Sequence, residues 1–208
     1  VHKSIKGTLI KELIDRIEII FNKNFDNTSD ITAIVNEKNF NRLTELIKEN
    51  KIIYGGKSDR ENRYIFPTII DSPKMDSNIM KEEIFGPILP VLSFEKLEDI
   101  DNIINKNPNP LALYVFSNNK KFTETVINRY SFGGGSINDT IVHLANSRLP
   151  FGGIGNSGIG SYHGKLSFEL FSHKKSIVNR STWFDNNLRY APYKNKLSLV
   201  RKLMKYLG

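Results

Sequence analysis

Residues 111–116 (LALYVF) constrain this chain more than any other stretch. They are apolar throughout, without the alternation of a half-solvated strand. Such a run suits a strand covered on both faces, as in a parallel sheet flanked by helices. The segments around it agree. In residues 4–21, Leu9, Leu13, Ile17 and Ile20 recur at helical spacing beside Ile10 and Ile14, with Ser4 as N-cap. Asn36 caps a second helix, with Phe40, Leu43 and Ile47 on one face. Short strands are expected over 51–54, ended by Gly55 and Gly56, over 65–71 and over 88–94. Residues 22–32 and 71–80 read as loops, the second broken by Pro73. Helices are expected over 97–105 and, capped by Asn118, through Arg129 with Phe122 and Val126 inward. Gly133–Gly135 leads into a strand toward Asn138. Helical turns over 165–170, a strand over 175–178 and a basic terminal helix carrying Leu197, Val200, Leu203 and Leu207 complete the chain. The alternation defines an α/β fold with an open, mostly parallel sheet flanked by helices.

The 208 residues suffice for one domain with appended structure. No apolar run approaches the roughly 20 residues that span a bilayer. The chain contains no cysteine, which excludes disulfides, thiolate zinc sites and a thiol nucleophile within it. The net charge of +8 is concentrated in residues 172–208, where nine Lys/Arg face one acid, Asp185. The body is therefore neutral, and nucleic-acid binding, which calls for a basic face on the body, is not expected.

Three segments combine residues that carry chemistry. In residues 81–90 (KEEIFGPILP), two carboxylates and an aromatic precede a Gly-Pro turn. A carboxylate there can accept hydrogen bonds from sugar hydroxyls, with an aromatic packed on a flat ring. Taken alone, the segment reads more simply as a surface turn with two solvated acids. In residues 136–143 (SINDTIVH), Asn138 and Asp139 can simply cap or turn, and His143 can be a satisfied core histidine. Residues 149–165 (LPFGGIGNSGIGSYHGK) crowd glycines that permit positive φ and close backbone approach. They lack the strand-before, helix-after setting of a dinucleotide loop.

Taken in order, EEIFGP, PLALYVFS, IND…H, LPFGGIGNSG and YHGK…F..FSHKK resemble the NAD(P)-dependent aldehyde dehydrogenase superfamily over essentially the whole chain. The YHGK continuation through Phe168, Phe171, Ser172 and His173 is most similar to the class 3 and fatty-aldehyde branch.

The resemblance implies that residues 1–170 are the carboxyl-terminal part of a catalytic domain, 171–181 an oligomerisation strand and 182–208 a basic tail. It implies that Glu83 holds the nicotinamide ribose hydroxyls of NAD or NADP and that Phe85 lies against the nicotinamide, while Glu82 is structural. It places Asn138, Ile141, Phe151 and His163 along an aldehyde tunnel, with an apolar wall suited to hydrophobic aldehydes. The nucleophilic cysteine, the general base and the cofactor domain precede, in the family, the segment that VHKSI resembles. The isolated chain is accordingly expected to be inactive, and its Val1 start within a family motif is expected to mark a truncated piece. Cytoplasmic location and homodimerisation through 175–178 are expected. Two alternatives stand beside this reading: a non-catalytic interaction fragment, and a module that touches membrane surfaces through 194–207.

Overall fold

The computed structural model describes residues 1–21, 31–185, 187–193 and 196–207. The loop expected over 22–32 therefore lies largely outside the described residues, as does Lys194 of the tail. The chain divides into two units, Val1–Gly164 and Lys165–Gly208.

The first unit is built on α2 (Glu37–Lys48), which follows α1 (Lys6–Phe21). Asn36 caps α2 by accepting a hydrogen bond from the Asn39 amide at 2.9 Å. Phe40, Leu43, Leu46 and Ile47 then bury one face of α2 against Ile65, Ile70, Ile79 and Ile88. Each such side chain contributes about 1.5–3 kcal/mol when fully removed from water.

Beneath α2 lie β1 (Ile52–Tyr54), β2 (Ser58–Asp59), β3 (Tyr64–Ile65), β4 (Thr68–Asp71) and β5 (Ile88–Val91). β4 is central, antiparallel to β1 and parallel to β5 in the register Thr68↔Ile88 through Asp71↔Val91. β2 and β3 form a separate hairpin. Residues 1–3 run along the end of β5: Val1 N donates to Leu92 O, Phe94 N to Val1 O and Lys3 N to Phe94 O, each within 3.0 Å. After α3 (Leu97–Ile104), β6 (Ala112–Val115) pairs in parallel with β7 (Gly134–Ile137) across α4 (Lys120–Arg129).

The α/β class and its parallel pairs are as read from the sequence, but the strands form separate ladders. An open apolar groove of about 770 Å³ lies between residues 1–9, the end of β5, α3, α4 and β6. Phe116 on its wall is exposed, Leu111 outside it is exposed as well, and within the 111–116 run only Val115 is buried.

Three local expectations shift by a residue or more. Ser4 does not cap α1; it lies within a 3-10 turn, Lys3–Ile5, capped by the His2 ring. In α1 the half-buried apolar positions are Ile10, Leu13, Ile14, Ile17 and Phe21, whereas Leu9 and Ile20 are exposed. Asn119, not Asn118, caps α4, accepting from the Phe122 amide at 3.1 Å. Both asparagines sit in the same turn, and only the geometry of the chain entering the helix selects between them.

The second unit holds α6 (Gly164–Leu170), which starts at the boundary, and α7 (Leu197–Leu207). Residues 175–178 make no ladder in this chain, and Ile177 and Val178 are 76% and 92% exposed. A strand forms only against a neighbour, and within the described residues none lies alongside. No helix among the described residues is long and apolar enough to cross a membrane.

Candidate functional site

The EEIFGP segment forms a turn tied down at three points. Arg42 of α2 reaches it with both terminal nitrogens: Nη1 donates to Glu82 Oε1 at 3.0 Å and Nη2 to the Ile84 carbonyl at 2.7 Å. The Ile84 side chain packs against the core beneath α2. Gly86 rests on Leu43, whose Cδ1 would stand 2.6 Å from a Cβ at position 86. Phe85, between the last two ties, has φ +51°. A left-handed conformation costs a side chain of this size about 1–2 kcal/mol, so the ties hold it against its local preference. What the turn presents outward is the exposed Glu83 and the Phe85 ring, 80% exposed. Glu82, read from sequence as the structural member of the pair, is the one engaged with Arg42.

The SINDTIVH segment follows β7. Asn138 has φ +56° and donates its main-chain N–H to Val115 O at 2.8 Å. Its side-chain Oδ1 accepts from Ser117 N at 2.8 Å, and Nδ2 donates to Ser117 O at 3.2 Å. The amide expected along the tunnel is thus occupied in joining the ends of β6 and β7. Ile141, at φ +66° and 60% exposed, precedes the short helix α5 (Val142–Ala145). His143 within it is buried, but neither ring nitrogen has a protein partner. It is a core histidine without the satisfaction anticipated for it. Its ring stands 5.7 Å from Tyr114 and 6.3 Å from Phe151.

The glycine-rich segment closes on itself. Phe151 N donates to Tyr162 O at 2.7 Å, and Tyr162 N to Phe151 O at 3.0 Å, with the two rings edge to face at 6.3 Å. Inside this bridge the main chain doubles back so tightly that a Cβ on Gly153 would meet Ser157 O at 2.1 Å. That contact, rather than an anion, explains the glycine there. His163, next to Tyr162, is half-buried, and its Nδ1 is buried without a partner.

The structure therefore brings together Phe151, His143 and, across the bridge, the neighbourhood of His163. Glu83 and Phe85 occupy a different turn, over α2. None of the six residues lines the large apolar groove. Among the described residues no cluster of His, Cys, Asp and Glu is arranged to hold a metal. Two structural ties were not read from the sequence, one wholly and one in part. Arg42 lies forty positions from its partner Glu82, beyond any local pattern. The role of Asn138 was half legible, since asparagine is the residue most tolerant of positive φ after glycine.

These features define an α/β chain with a strained, carboxylate-bearing turn above one helix and a glycine-rich segment closed on itself. A family model for the aldehyde dehydrogenase family matches residues 1–177, and the chain belongs to that family. It is 45% identical over 207 residues to the 4,4'-diaponeurosporen-aldehyde dehydrogenase of Staphylococcus aureus, covering 99% of this chain and 45% of that protein. It is 46% identical over 207 residues to aldehyde dehydrogenase family 3 member H1 of Arabidopsis thaliana, covering 97% and 43%. The class 3 resemblance is thereby upheld. A solved structure described as the substrate-bound state of Staphylococcus aureus AldH superimposes with a TM-score of 0.90 at 45% identity, covering 98% of this chain and 45% of that one. The chain thus spans less than half the length of the relatives it matches.

Proposed function

We propose that this chain is the part of an NAD(P)-dependent aldehyde dehydrogenase that closes the nicotinamide end of the cofactor site and one wall of the aldehyde site. The observation that carries the reading is the 82–86 turn. Its ties to α2 consume Glu82 and Ile84 and leave a free carboxylate, Glu83, beside an exposed ring, Phe85. A carboxylate accepts from both hydroxyls of a ribose, and an aromatic edge packs on the adjoining nicotinamide. Bound there, the nicotinamide would supply the hydride acceptor for oxidising an aldehyde to an acid. Ile141 and Phe151 would present apolar surface to a hydrophobic aldehyde, with Asn138 and His163 shaping the tunnel around them.

Nothing in this chain supplies the thiolate that such a reaction requires, because it has no cysteine. The proposed protein is cytoplasmic, and this chain alone does not turn over. Incubating it with NAD+ or NADP+ and medium-chain or aromatic aldehydes should give no nicotinamide reduction above a heat-killed control. Turnover would refute that part of the reading. Binding of NAD+ seen as NMR shifts at Glu83 and Phe85 supports the cofactor contacts, and its absence at millimolar nucleotide removes them.

A second reading concerns partners. Residues 175–178 are exposed and outside any ladder, with Ile177 and Val178 apolar, and an unpaired edge recruits a strand from another copy. A homodimer formed there would become monomeric on I177K/V178K substitution in sedimentation equilibrium. The exposed Leu197, Leu203 and Met204 of α7, beside Arg201, Lys202 and Lys205, suit contact by 194–207 with an anionic surface. Sedimentation with anionic against neutral vesicles tests this contact.

A further inference from the structure

Two consecutive residues of α2 hold both sides of the turn that carries Glu83 and Phe85. Leu43 supports Gly86 on the far side of Phe85. Arg42 holds the near side through two separate acceptors, the Glu82 carboxylate and the Ile84 main-chain carbonyl. A third, longer bond, Nε to Asn39 Oδ1 at 3.4 Å, steadies the guanidinium from its own helix. The Arg42 side chain is only 26% exposed. An isolated surface ion pair would add little. Here, however, one of the two bonds goes to the carbonyl immediately before a residue held at φ +51°. That bond fixes the peptide plane from which the left-handed turn at Phe85 begins.

We infer that Arg42 is the positioning residue of this turn, setting the register in which Glu83 and Phe85 face outward while Glu82 and Ile84 face α2. The inference rests on the cofactor reading above only for its consequence in nucleotide binding; the geometric part stands alone. The planar fork of arginine spans a carboxylate and a carbonyl at once. Lysine presents a single point charge and would satisfy one of them. Without the fork, Phe85 relaxes toward negative φ, and the outward pair is present for only part of the time.

The test uses the full chain with Arg42→Met and Arg42→Lys, and Arg60→Met as a control that removes another helix-bound arginine pair, Arg60–Glu37. The NMR readout is the intraresidue HN–Hα NOE of Phe85, which is strong only at positive φ. A merely stabilising residue would not move it once the chain is folded. The wild type and Arg60→Met should keep this signature. Arg42→Met should lose it, and Arg42→Lys should weaken it. If Arg42→Met does not fold, the milder Arg42→Lys decides. A folded Arg42 variant that retains the full Phe85 signature overturns the inference. In a parallel arm NAD+ is titrated. If the outward state falls to about one tenth, the apparent dissociation constant rises about tenfold. An altered Phe85 signature with no NAD+ binding even in the wild type would defeat the cofactor reading and leave the role of Arg42 intact.

Discussion

The contact between Leu43 and Gly86 permits a size-exchange experiment whose outcome follows from the packing. Leu43 is fully buried, at the centre of the core formed by α2, and its Cδ1 lies where a Cβ on residue 86 would be 2.6 Å away. Position 86 does not have the positive φ that would exclude alanine, so the clash is the main obstacle there. Gly86→Ala alone should cost about 1–3 kcal/mol, the usual range for an extra methyl forced into a filled core. Leu43→Ala alone should cost about 2.7–5 kcal/mol, from lost transfer energy plus the cavity. In the double variant the new methyl occupies part of that cavity and meets no Leu43 methyl. The pair should therefore be less destabilised than the sum by about 1–2 kcal/mol, within the range for residues in contact. Urea unfolding at 25 °C of the four proteins, with m-values compared to exclude changed denatured states, measures this coupling. Strict additivity would mean that Gly86 does not rest on Leu43, and with it the account of how the turn is seated would fail.

Two further predictions rest on other contacts. Asp71 accepts from Lys6 Nζ at 2.6 Å and Lys51 Nζ at 2.9 Å, and these hydrogen bonds hold its carboxyl well below the usual carboxylate range. A depressed folded value means that the contribution is present above the ordinary value of about 4 and is lost as pH falls below it. The wild type should lose more urea resistance than Asp71→Asn between pH 5 and pH 3, by about 1 kcal/mol; parallel curves would show that the triad contributes nothing. Asn138→Ala removes both side-chain bonds to Ser117 and leaves alanine at φ +56°, so about 2–3 kcal/mol should be lost. Asn138→Gly restores the conformation without the bonds and should fall between wild type and alanine in thermal unfolding.

Local order was largely legible. The Asn36 cap, the apolar face of α2 and the positions of β5, α3 and α4 follow from spacing and from residues that act on their own neighbours. Such effects reach three or four positions along the chain, which is the distance over which side-chain period and capping operate. The family motifs were equally plain, and they singled out Glu83 over Glu82 by resemblance. Why the two acids differ was not legible, because Glu82 meets an arginine forty positions away. Nor did any pattern announce that Ile141 would be left-handed, or that His143 would be buried with both nitrogens unpaired. The apolar run at 111–116 was read as covered on both faces, yet its cover on one side is an open groove. The sequence by itself determined which segments become most of the helices and strands, though not the residues at which they start, and which family they belong to. Only the tertiary structure decided which carboxylate is spent and which is free, because the partner that spends it is brought near by packing and not by sequence.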